Sequence, residues 1–132
     1  MFGRKSKSTI DSWIGVSTRI EGNIHFKGGL RIGGHVKGNV LADAELASML
    51  VISEQAKVEG EVRVAHLVVN GEIIGAVHSS ELLELQPKAR ITGDVYYNAF
   101  EMHGGAIVTG QLRHDEPGEP VLKLASSNAQ TL

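Results

Sequence analysis

The chain contains no cysteine, which excludes a disulfide framework and any metal site built on thiolates. Proline occurs three times and aromatic residues make up only 5% of the sequence, a composition poorly suited to a helical bundle. No apolar run approaches the roughly 20 residues that cross a bilayer as a helix. No apolar segment near Met1 has the length of a signal peptide, so the expected address is the cytoplasm. Neither sign of charge dominates: 13 Lys and Arg against 15 Asp and Glu leave a net charge of −2. The molecule as a whole thus has no strong electrostatic reason to seek nucleic acid, although a basic patch can still be local.

What is present is glycine, 16 in 132 residues, on a background that is 42% hydrophobic. A chain of this length forms one domain with a modest core, and the glycines favour many short strands and turns. They are also ordered. RIEGNI, HVKGNV, KVEGEV, EIIGAV, RITGDV and IVTGQL repeat one design around Gly22, Gly38, Gly60, Gly75, Gly93 and Gly110, at separations of 16, 22, 15, 18 and 17 residues. Upstream of the later glycines lies a second apolar pair: Leu30 with Ile32, Leu50 with Ile52, Leu67 with Val69, Leu83 with Leu85, and Phe100 with Met102. Three repeats share one spacing, as in Leu50, Ile52, Ala56, Val58 and Val62. The first follows less regularly through Ile14, Thr18, Ile20 and Ile24, and two are shorter, with tight turns expected at Gly33-Gly34 and Asn70-Gly71.

Alternating stretches this short bury nothing alone, whereas stacked copies bury a continuous apolar column. About 17 residues per turn in three short strands is the geometry of a triangular β-helix, and six rungs spaced about 4.8 Å apart make a rod roughly 25–30 Å long. The glycine column then marks a corner where the chain needs positive φ or close approach to adjacent rungs. The flanking residues Glu21, Lys37, Glu59, Ile74, Thr92 and Thr109, and Asn23, Asn39, Glu61, Ala76, Asp94 and Gln111, should point outward as a solvated face. The stretch LADAELASM after Val40 inserts about five residues, read as a protruding loop or a short helical turn.

Catalysis has few places to sit. The six histidines, His25, His35, His66, His78, His103 and His114, share no column except His25 with His78. Those two are three rungs apart, or about 14 Å, too far to bind one metal. No nucleotide-cradling context surrounds the glycines, and no catalytic, cofactor or metal residues are assigned. Triangular β-helices do include hexapeptide-repeat acyltransferases and related carbonic anhydrases, which work as trimers. Their strict six-residue register differs from the 2, 4, 2, 4 spacing here. That enzyme class stays as the alternative.

The ends are more informative than the sides. A solenoid exposes unpaired strand edges and a slice of core at its first and last rungs unless a cap covers them. Here the repeats stop at Leu112, before a polar, proline-containing segment, and MFGRKSKSTID before Ser12 is too short and polar for a lid. Uncapped rods stack into filaments without nucleotide.

The run IGVSTRIEGNIHFKGGLRIGGHVKGNV from Ile14 to Val40, followed by KVEGEV, LVVNGEIIGAV and ARITGDV, resembles the bactofilins, bacterial cytoskeletal proteins, over residues 12–112. The resemblance implies a right-handed triangular parallel β-helix of six rungs, with tails at 1–11 and 113–132. It further implies filaments formed end to end without nucleotide or metal, and roles in cell shape, as a scaffold for cell-wall synthesis or remodelling enzymes, and at the inner membrane surface. Bactofilins often carry an aromatic residue where this chain has Val108, in the C-terminal end contact. Val108, Phe100 and Leu112 are therefore candidate self-association residues at one end, with Ile14 and Ile20 at the other. Many members bind membrane through a short N-terminal segment, to which Phe2, Arg4, Lys5 and Lys7 are similar in kind. At about 1 kcal/mol per cation near an anionic leaflet, one copy binds weakly and a filament gains by avidity. The alternatives are an inert basic start and, for VLKL at 121–124, either a docking segment or a small apolar cluster in a tail.

Overall fold

The structure, a computed structural model, describes residues 10–44 and 47–114. These residues form fifteen strands and no helix. In chain order they are β1 (Ser12–Ile14), β2 (Arg19–Glu21), β3 (Ile24–Phe26), β4 (Gly28–Ile32), β5 (His35–Lys37), β6 (Val40–Ala42), β7 (Ser48–Ile52) and β8 (Lys57–Glu59). Then follow β9 (Val62–Val69), β10 (Glu72–Ile74), β11 (Val77–Leu85), β12 (Arg90–Thr92), β13 (Val95–Met102), β14 (Ile107–Thr109) and β15 (Leu112–His114). Each strand pairs in parallel with strands one turn away, giving a three-sided solenoid of six rungs. Face 1 stacks β1, β4, β7 and the C-terminal halves of β9, β11 and β13. Face 2 stacks β2, β5, β8, β10, β12 and β14. Face 3 stacks β3, β6, the N-terminal halves of β9, β11 and β13, and β15.

The alternation read from the sequence sets which residues enter the prism. Ile14, Ile32, Ile52, Val69, Leu85 and Met102 form one column on face 1, and Leu30, Leu50, Leu67, Leu83 and Phe100 another. Face 2 contributes Ile20, Val36, Val58, Ile73, Ile91 and Val108. Face 3 contributes Ile24, Val40, Val62, Val77, Val95 and Leu112. Within rungs two to five these side chains are at most 4% exposed, and each contributes about 1.5–3 kcal/mol through burial. No rung has a core of its own, so each depends on its neighbours.

Between faces 2 and 3 runs the glycine corner. At Gly75, with φ of 148°, an added Cβ would lie 2.2 Å from the Gly60 carbonyl oxygen. Backbone thus packs on backbone more closely than any side chain permits. Gly22 in the first rung has a similar φ of 135° but nothing within 4 Å.

The other two corners differ from it and from each other. Between faces 1 and 2 the turn is two residues shorter at Gly33-Gly34 and Asn70-Gly71 than in the remaining rungs. The Gly33 and His35 N–H groups donate to the Ile14 and Thr18 carbonyls, so this short turn is recessed behind a longer one. At the third corner the expected three short strands per rung merge: β9, β11 and β13 each run continuously from face 3 into face 1. β11 carries Ser80 and Glu81 where β9 has Ala65 alone, and the register shifts there. Two buried serines bridge the irregularity. Ser48 Oγ accepts from the Ala65 N–H at 3.1 Å, and Ser79 Oγ donates to the Ala65 carbonyl at 3.0 Å.

Two expectations need correction. The insertion LADAELASM is mostly strand at its ends: Leu41 and Ala42 finish β6, and Ser48 and Met49 begin β7. Pairing with β3 and β4 draws these residues into the sheet, leaving Asp43, Ala44 and Ala47 outside it among the described residues. The residues following the glycines are also more than a solvated face. Asn23 Oδ1 accepts the Asn39 N–H and Asn39 Oδ1 accepts the Glu61 N–H, both at 2.9 Å, and Asp94 Oδ1 accepts the Gln111 N–H at 3.1 Å. These side chains link rung to rung.

Candidate self-association site

The two ends of the rod are where buried columns become exposed. In the first rung Ile14, Ile20, Ile24 and Phe26 are only half-buried. Their in-register neighbours Ile32, Val36 and Val40 are completely enclosed. In the last rung Phe100 and Val108 are half-buried, while Met102 and Leu112 are 45% and 42% exposed. Strands β1, β2 and β3 at one end, and β14, β15 and the last part of β13 at the other, have a partner strand on one side only among the described residues. Each end therefore combines an apolar triangle with a rim of backbone donors and acceptors.

The sequence-predicted residues are distributed over these triangles. Phe100, Val108 and Leu112 occupy faces 1, 2 and 3 of the last rung, and Ile14 and Ile20 occupy faces 1 and 2 of the first. Face 3 of the first rung is filled by Ile24 and Phe26, and Met102 completes face 1 of the last. All three stand in the repeat pattern, and the missing signal was position: a core residue and an end residue look alike until one counts rungs. Phe2, Arg4, Lys5, Lys7 and the VLKL segment lie outside the described residues.

Charged side chains line the outside of the rod. On face 2, Glu59 lies 3.3 Å from His35 Nε2 and 3.4 Å from Lys57 Nζ. Partial desolvation pushes the Glu59 carboxyl up, but hydrogen bonds and charge from Lys57 and His35 outweigh it and hold the group below the usual carboxylate range. On face 3, Arg63 and His78 approach Glu61, and the His78 ring stacks on Tyr96 with centroids 4.6 Å apart. His25 and His78 share a column three rungs apart. No grouping of three metal-ligating side chains occurs among the described residues.

Comparison with known proteins bears on what such a rod does. A family model described as bactofilin, polymer-forming cytoskeletal, matches residues 12–113. The chain belongs to the bactofilin family. Bactofilin BacO of Myxococcus xanthus (strain DK1622) is 26% identical over 114 residues, covering 86% of this chain and 87% of the relative. A cryo-EM reconstruction of Thermus thermophilus bactofilin double helical filaments superposes with a TM-score of 0.72 at 30% identity, covering 79% of this chain and 99% of that one. The polymer-forming, all-β reading thus holds for this bactofilin. Among the described residues, no helix is long and apolar enough to cross a membrane.

Proposed function

We propose that this bactofilin assembles without nucleotide into filaments by end-to-end stacking of rods, and that the filaments organise cell-shape or cell-wall proteins at the cytoplasmic face of the membrane. The observation that carries the assembly step is the pair of apolar triangles that no other strand covers among the described residues. Stacking a second rod on Phe100, Val108 and Leu112, or on Ile14 and Ile20, continues the burial that the interior rungs enjoy and gives the rim a partner strand. No phosphate site is needed for this, because the driving force is apolar contact and backbone hydrogen bonding. Membrane attachment is assigned to Phe2, Arg4, Lys5 and Lys7, whose weak single-copy affinity multiplies along a polymer.

Negative-stain electron microscopy and sedimentation of the purified protein, free of nucleotide and metal, test the assembly step. Filaments that pellet are expected. Val108→Arg should abolish them by placing an uncompensated charge in the contact. Because Val108 already lies at an end of the rod, the variant should keep its circular dichroism spectrum. Normal polymerisation of Val108→Arg would place the contact elsewhere.

A further inference from the structure

The three outer faces are chemically unlike. Face 2 presents Arg19, His35, Lys57, Glu72, Arg90 and Ile107, and face 3 presents His25, Leu41, Arg63, His78, Tyr96 and Arg113, so each carries one aliphatic residue in its outward column. Face 1 is mostly apolar outside as well as inside. Its outward column reads Trp13, Arg31, Val51, Val68, Glu84 and Glu101 from the first rung to the last, and beside it stand Met49, His66, Leu82 and Ala99. Trp13 is 72% exposed. A groove of about 630 Å³ lies at the corner where this face meets the recessed turns, lined by Trp13, Val51 and Val68 from the face and by Glu54, Gln55 and Gln86 from the turns, among others.

The order of that column matters as much as its composition. Reversing it and laying it on itself brings Arg31 to Glu84, Val51 to Val68 and Trp13 to Glu101, because rung two meets rung five and rung three meets rung four. Laid parallel, Arg31 meets Arg31, Glu84 meets Glu84 and Glu101 meets Glu101. One orientation is self-complementary and the other is repulsive.

We propose that face 1 is a lateral contact with a second copy of this chain, two rods lying antiparallel with Arg31 of each against Glu84 of the other. This rests on the end-to-end reading. Six rungs of about 4.8 Å and a face about four residues wide cover on the order of 300–400 Å², well below the roughly 800 Å² per partner of a stable complex. Single rods therefore do not pair, and strands of many stacked rods do, because each added rod repeats the contact. The double helical filaments of the Thermus thermophilus relative support a paired-strand form.

The natural chain has no cysteine, so introduced thiols report this contact alone. Val51→Cys and Val68→Cys variants are polymerised separately and as an equal mixture, oxidised, and run on a denaturing gel. Covalent dimers are expected in the mixture and not in either variant alone. Dimers from Val51→Cys alone would overturn the antiparallel orientation. Absence of dimers from filaments that still pellet would overturn face 1 as the contact. Failure of the unsubstituted protein to form filaments would instead sink the end-to-end reading, and this inference with it. As a second arm, Arg31→Glu should narrow the filaments to single strands, and adding Glu84→Arg should restore their width. Unchanged width in Arg31→Glu would equally refute the pairing.

Discussion

Gly75→Ala should destabilise the rod far more than a glycine-to-alanine change in a loop, and Gly22→Ala supplies the internal control. Both positions have positive φ, 148° and 135°, so each variant carries backbone strain of about 1–3 kcal/mol. Only at Gly75 does the new methyl group meet the rung beneath, 2.2 Å from the Gly60 oxygen, which is roughly 1 Å inside any tolerable contact. Relief requires the two rungs to part by about that distance. The hydrogen bonds from Gly60 N–H to Ile74 O and from Val62 N–H to Ala76 O, each 2.9 Å long, would stretch beyond useful range, and each is worth about 0.5–1.5 kcal/mol. The expected cost is therefore about 2–6 kcal/mol for Gly75→Ala, exceeding Gly22→Ala by about 1–3 kcal/mol. Urea unfolding followed by far-ultraviolet circular dichroism measures both, in the Val108→Arg background so that assembly does not add to apparent stability. Equal costs at the two sites would refute the claim that the glycine column exists for close backbone packing, leaving φ alone as its reason. If the N-terminal end is a stacking surface, Gly22→Ala should also impair pelleting of otherwise unsubstituted protein, because its methyl group projects toward the incoming rod.

Asn39→Ala removes the acceptor of the Glu61 N–H and should lower stability by about 1 kcal/mol. Ala76→Asn, which places an amide at the rung where the ladder is interrupted, should raise it by about 0.5–1 kcal/mol; both are read from urea midpoints. The Glu59 carboxyl titrates lower in the folded rod than its ordinary 4.5, so its stabilising contribution is complete above that pH and is lost as pH falls through the folded-state value. Thermal melting from pH 7 downward should show an acid limb that flattens in Glu59→Gln, and an unchanged limb would assign acid sensitivity to other groups. Deleting residues 2–7 should leave filaments intact but abolish their flotation with anionic liposomes in a density gradient. Undiminished flotation would sink the membrane assignment.

The solenoid was legible in the sequence because stacking makes every rung solve the same packing problem, so Ile20, Val36, Val58, Ile73, Ile91 and Val108 recur at one offset from the glycine. What escaped was whatever depends on the neighbouring rung. Asn23 and Asn39 read as solvated polar residues because nothing local distinguishes them from one, and their acceptors are the next turn's N–H groups. The third corner escaped for the same reason. Ser48 and Ser79 look like loop residues, yet both are buried and hydrogen-bonded to Ala65. The end residues Ile24, Phe26 and Met102 were hidden differently, since they are core by type and terminal only by count.

The six-rung stack also sets a repeat distance. Each rung touches only those above and below, so adding or removing a whole turn lengthens or shortens the rod while preserving its cross-section and both tips. Rods joined tip to tip would then space whatever the flanking segments carry at intervals of about 29 Å, six times the rung spacing. The number of turns thus becomes the graduation of a ruler, and under the proposed end-to-end stacking the spacing of the flanking segments along the polymer is written in the count of glycines at one corner.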